Sequence, residues 1–104
     1  MTLANYSIDA GALLRARSIA FNAMDTGSDG YGKQAAEEKY ADLTKSCVMV
    51  LKACSGQQVD GVTYETDIYD GHEALLIYTP KHKIVCIKLG LSSQEFRPTA
   101  IFSL

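Results

Sequence analysis

The sequence predicts an α+β domain: two N-terminal helices packed on a four-stranded antiparallel sheet that runs as a meander. Three observations carry that expectation. Apolar residues recur at helical spacing through the first half of the chain, the period changes to two after Gly61, and turn formers separate the later apolar runs. With 104 residues the chain has the common size of one domain, residues 1–104, and needs no metal or disulfide to close a core.

Ser7 or Asp9 can cap a first helix that runs to about Met24. Leu13, Leu14, Ala16, Ala20, Phe21, Ala23 and Met24 share one apolar arc, with Arg15, Ser18 and Asn22 opposite. Arg17 falls inside the arc. Its stem can lie along apolar neighbours while the head reaches solvent; the sharper alternative is a charge aimed at a site. The second helix starts near Gly32 or Asp29 and runs to Cys54, because Ala36, Tyr40, Leu43, Cys47, Val50, Leu51 and Cys54 stay on one face. Its later half is apolar nearly all round and is expected to lie deeper. Ser55-Gly56 ends it.

Val62, Tyr64, Thr66 and Ile68 alternate with Thr63, Glu65, Asp67 and Tyr69, the mark of a half-buried strand. Asp70-Gly71 signals a hairpin turn. Residues 74–79 and 84–89 are almost continuously apolar, as central strands are, with Pro80-Lys81-His82-Lys83 as a tight connection. Residues 90–95 read as a loop and residues 97–104 as the last strand. Pro98, lacking an N–H, suits the start of that strand or a sheet edge.

Bulk composition excludes several classes. A hydrophobic share of 47% with a net charge of −2 is not that of a disordered chain. A pI of about 5.6 gives no basic stripe, so nucleic acid is not an expected partner. Cys47 and Cys54 on one helix stand roughly 10 Å apart, beyond disulfide reach. No CxxC is present and only two histidines could assist, so inert thiols, no metal and no cofactor are expected. The start lacks a basic region followed by an apolar run, and no apolar stretch approaches the roughly 20 residues that span a bilayer. The expectation is a cytoplasmic chain without membrane contact.

The stretch 25–34 invites two ligand readings. Gly27, Gly32 and Lys33 match a phosphate loop, but Gln34 replaces the Ser or Thr that holds magnesium, and no strand precedes it. Asp25, Asp29 and Gly30 match parts of a calcium loop, yet Gly27 and Ala36 stand where ligand side chains belong. A connection rich in turn formers accounts for the stretch.

Catalysis needs a nucleophile or base beside its activator. His72 and His82 fall in hairpin loops at opposite strand ends, roughly 20 Å apart at strand rise. Neither G-x-S-x-G nor H-E-x-x-H is present. A small metal-independent ribonuclease could be assembled from His82, Lys88, Arg97 and Thr99, on a helix-then-sheet layout that toxin-type ribonucleases also use.

Strand parity is more informative. It puts Tyr64, Thr66 and Ile68 on the face of Leu75, Ile77, Ile84 and Cys86, the natural floor for the helices. The other face gathers Glu65, Asp67, Tyr69, Leu76, Tyr78, Val85, Ile87 and Leu89. A one-sided sheet should show mainly polar residues there, so this face is expected to be covered by a helix or by another molecule. Glu65, Asp67, Tyr69 and Tyr78 are the candidate partner-binding residues. They suit a basic protein partner, and the leading expectation is an inhibitor or immunity-type protein that occludes a nucleolytic one. The ribonuclease is the alternative, and a homodimer buried through the same face is the third.

Overall fold

The computed structural model describes residues 3–23, 32–69, 71–90 and 94–104. The fold is α+β, with two helices and a five-stranded mixed sheet. The elements are β1 (Ser7–Ile8), α1 (Ala10–Ala23), α2 (Gly32–Cys54), β2 (Thr63–Tyr69), β3 (His72–Tyr78), β4 (His82–Lys88) and β5 (Glu95–Ser103). The spatial order is β1-β5-β4-β3-β2. The four later strands form the expected antiparallel meander. The purely antiparallel sheet of four strands is corrected by β1, which precedes the helices and pairs with β5 in parallel, Ser7 beside Glu95 and Ile8 beside Phe96. Two residues carry no periodicity, which is why the strand leaves no mark on the sequence.

Pairing of β1 decides how α1 starts. The Ser7 and Asp9 N–H groups donate to the carbonyls of Gln94 and Phe96, and Asp9 Oδ1 then accepts the Ala12 N–H at 3.0 Å. Asp9 is therefore the cap, and Ser7 belongs to the strand. Ala12, Leu13, Ala16 and Ala20 are the buried residues of α1, whereas Leu14 is 42% exposed and Ala23 is exposed. The apolar arc is thus rotated toward a stripe of alanines, which lets α1 approach β5 closely. α2 begins at Gly32, four residues before Ala36 where the apolar period starts, and buries Leu43, Cys47, Val50 and Ala53. Val48 and Lys52 remain exposed, so its later half is one-sided rather than immersed. At its end the Gly56 N–H donates to the Ala53 carbonyl and the Gln57 N–H to the Lys52 carbonyl, with Gly56 at φ 97°. That is the paired bond pattern closing a helix through a left-handed residue, a conformation glycine adopts without steric cost.

The main core lies between the helices and one sheet face. It joins Leu13, Leu43, Cys47 and Val50 to Val62, Leu75, Ile77, Ile84, Cys86, Phe96 and Ile101. The expected parity holds: Tyr64 pairs with Ile77, Thr66 with Leu75, Ile77 with Ile84 and Leu75 with Cys86. Pro98 sits inside β5 rather than at its start. The register shifts between Val85 and Cys86, whose partners are Ala100 and Pro98, and this leaves Thr99 as the extra residue of a bulge. The Thr99 hydroxyl donates to the Val85 carbonyl at 3.2 Å, and a bulge is where a proline can sit without breaking a ladder.

Candidate functional site

The face turned away from the main core is built by β2, β3, β4 and β5. Glu65 pairs with Leu76 and Asp67 with Ala74, while Tyr78 stands opposite Thr63 on one side and Lys83 on the other. Ala74, Leu76 and Val85 are buried here as a second small cluster, with Tyr78 and Ile87 packed against it. All five residues come from β3 and β4. This part of the aliphatic block is therefore sealed rather than presented to solvent, whereas Leu89 is left outside it. What the face exposes is a charged border, Glu65 and Asp67 on β2 and Arg97 on β5 beside Ile87, together with two apolar side chains: Phe102, 51% exposed opposite Lys83, and Leu89, 44% exposed just past β4. The acidic edge and the basic edge lie on opposite sides of the cluster.

Tyr78 and Glu65 are diagonal neighbours across β2 and β3, within reach of long side chains. The phenol donates to Glu65 Oε1 at 2.8 Å. That hydrogen bond, then partial desolvation and the charges of Glu65 and Asp67, raises the Tyr78 pKa above its ordinary 10.0. The bond also holds the Glu65 carboxylate in one place. Of the four candidate binding residues, Glu65, Asp67 and Tyr78 share this face. The Tyr69 side chain lies outside the described residues, as do positions 25–31 of the phosphate- and calcium-loop readings.

A second polar group lies beneath the other face, and sequence reasoning missed it. Ser46 on α2 bonds to His82 Nδ1 at 2.7 Å and to Thr79 Oγ1 at 2.9 Å. The His82 N–H donates to Thr79 Oγ1, and all three residues are buried. Burial keeps His82 below its ordinary 6.5; nearby Asp42 opposes this and Lys81 adds to it. Outside the trio, Lys81 Nζ reaches Asp42 Oδ2 at 3.1 Å. The turn between β3 and β4 is thereby fastened to α2. A signal was available: Ser46 lies between Leu43 and Val50 on the apolar face of α2, where a hydroxyl needs a partner.

The four ribonuclease candidates are spread out. His82 is buried at the start of β4, and Lys88 stands at its far end bonded to Glu73 Oε2 at 2.6 Å. Arg97 pairs with Ile87 and so takes the face opposite Lys88, while Thr99 is spent on the bulge. Arg17 does not reach any sheet site. Its guanidinium lies 4.9 Å from the Tyr40 ring centre and donates to Thr44 Oγ1 at 3.3 Å, filling the seam between the helices.

Cys47 and Cys86 are buried, Cys54 is half-buried, and all three are free thiols. Burial raises all three, Cys54 to about 11 and Cys86 to about 12, which favours the protonated thiol over the nucleophilic thiolate. Among the described residues no three or more His, Cys, Asp or Glu side chains gather as metal ligands. No helix among them is long and apolar enough to cross a membrane. Comparison with known proteins finds no matching family model, no matching curated protein and no matching solved structure.

Proposed function

We propose that this chain is a small acidic protein-binding module of the cytoplasm, an inhibitor or immunity-type protein that occludes a basic, nucleolytic partner. The observation that carries the reading is the β2 border, where Glu65 and Asp67 are exposed together and the Tyr78 hydroxyl holds the Glu65 carboxylate in place. A preset carboxylate pair beside an aromatic ring meets lysine or arginine side chains with little loss of freedom on binding. Because the aliphatic cluster behind it is sealed, recognition at the β2 border rests on charge and on the Tyr78 ring, with exposed Phe102 as an apolar contact across the same face. Such contacts govern association rate and specificity more than raw affinity. The test is capture from host extract on the tagged chain, at low and raised salt, followed by purification of the retained protein and assay of its nuclease activity. Wild-type protein should inhibit it, and Asp67→Lys should slow association and relieve inhibition. Retention indifferent to Asp67→Lys and to salt would sink the reading.

A second reading, the metal-independent ribonuclease, keeps one supporting observation. His82, with its Nδ1 bound by Ser46, forms part of the wall of a cleft of about 380 Å³ that also meets Lys39, Lys81 and Asp42. An orienting hydroxyl behind an imidazole and two lysines beside it are usable parts for general acid–base chemistry on a phosphodiester. RNA cleavage by the purified chain that disappears in His82→Ala would make this the answer. Self-association through the acidic face, the third reading, would show as a dimer in sedimentation that Asp67→Lys disperses or strengthens.

A further inference from the structure

We propose that β2 is a docking edge, which takes an extended segment of the partner, alternating basic and apolar residues, as a further strand of the sheet. The inference rests on the acidic-face reading and adds how the partner is held.

β2 is the terminal strand of the sheet order among the described residues. The Ile68 N–H donates to Asp67 Oδ1 at 2.7 Å and so is not engaged with β3. An antiparallel ladder alternates groups that point inward and outward, so the peptide groups of Thr66 and Tyr64 point outward with those of Ile68. Three residues in step can therefore accept and donate bonds to an added strand.

The two sides of this edge differ. On one side stand Glu65 and Asp67; on the other stands Ile68, 67% exposed, beside a cleft of about 490 Å³ that Thr66, Phe96 and Tyr6 also line and whose rim Asp67 reaches. The Lys88–Glu73 ion pair lies in the same cleft with its charges already matched. A strand laid along β2 would put alternate side chains over the carboxylates and the intervening ones over Ile68 and the cleft. Its residues opposite Glu65 and Asp67 would occupy the closer, non-hydrogen-bonded sites, where opposite charges attract across strands. Lysine or arginine fits those positions and β-branched residues fit the others.

A second copy of this chain is the wrong occupant. Antiparallel self-pairing centred on Thr66 would set Glu65 against Asp67 twice, and like charges directly opposite are destabilising. The Asp67 carboxylate meanwhile caps the Ile68 N–H, and a partner cation would draw it off and free that N–H for an incoming carbonyl.

The test uses the full chain and a peptide as long as β2, of alternating valine and lysine, against a peptide of the same composition with its lysines grouped. Bound alternating peptide should slow amide exchange at Tyr64, Thr66 and Ile68 by at least about tenfold, and the grouped peptide should not. Thr66→Pro removes an outward N–H, a change an edge strand tolerates, and should abolish peptide binding while the remaining amide spectrum is kept. Unchanged exchange at the three amides in wild-type protein would overturn the proposal even if Thr66→Pro failed to fold. Slow exchange that grows with protein concentration and no peptide would overturn it in favour of a second copy. Binding that survives Thr66→Pro but falls in Asp67→Lys would overturn the docking edge alone. Loss of neither would count against the acidic face as well.

Discussion

Ile77 and Leu76 are adjacent on β3 and point to opposite faces of the sheet, yet they belong to different kinds of interior. Ile77 is fully buried in a cluster to which α1, α2 and the later strands all contribute. Leu76 is 6% exposed in a cluster of five residues drawn from β3 and β4. The first interior holds the fold together; the second closes off apolar side chains under a charged border. Burial alone thus does not distinguish the two, and the elements that supply the neighbours do.

The largest expected effect follows from that contrast. Ile77→Ala should cost about 2–5 kcal/mol in chemical denaturation, because packed elements on both sides leave a cavity that cannot collapse. Leu76→Ala should fall at the low end of that range, about 2 kcal/mol, since neighbours on only two strands can close around the gap. Equal losses would show that the second cluster is as constrained as the first.

Next in size is the buried trio on the helix side. Ser46→Ala leaves the His82 ring nitrogen and the Thr79 hydroxyl each short of a partner and should cost about 1–3 kcal/mol. His82 has its pKa held below 6.5 mainly by burial. The unfolded chain therefore binds this proton first as pH falls, and stability present above 6.5 should decline below it, down to the folded-state pKa. Denaturant midpoints measured between about pH 7 and 5 should show this slope in wild type and lose it in His82→Gln. A slope that persists in His82→Gln would assign it to another group.

The same contrast explains what the sequence could and could not reveal. Period-two alternation and the hairpin parity set the register of β2 correctly, because a strand's side-chain period is fixed by the backbone, but Thr66 and Ile68 stand exposed instead of lying under the helices. The seven-residue apolar period of α2 also held, apart from Tyr40, which stands 41% exposed beside Arg17. β1 could not be seen, since its two residues form a strand only through the carbonyls of Gln94 and Phe96. His82 was expected in a hairpin loop, but it opens β4, and the turn before it folds under α2, where His82 is buried against Ser46. The mixed second face was expected to need a cover. Parity placed Leu76, Val85 and Ile87 together, but that these seal one another while Leu89 stays exposed depends on side-chain packing, which alternation does not encode.

The smallest expected effect tests whether the charged border is as wet as its exposure implies. Tyr78 has its pKa raised first by the bond to the Glu65 carboxylate, then by desolvation, then by the charges of Glu65 and Asp67. Glu65→Gln keeps an oxygen that can accept the phenol but removes one negative charge. The Tyr78 phenol, followed by NMR with ring-labelled tyrosine, should then ionise closer to its ordinary 10.0. Added salt should shrink the wild-type shift as well, because charges at an exposed border are screened within about 10 Å at 0.1 M ionic strength. Stability in Glu65→Gln should stay within about 0.5 kcal/mol of wild type, as for most surface substitutions. In the main core such a change of charge would be costly, since a buried carboxylate stripped of water needs full pairing. A Tyr78 shift insensitive to both salt and Glu65→Gln would mean that desolvation governs it, and the border would then belong with the interior beneath it.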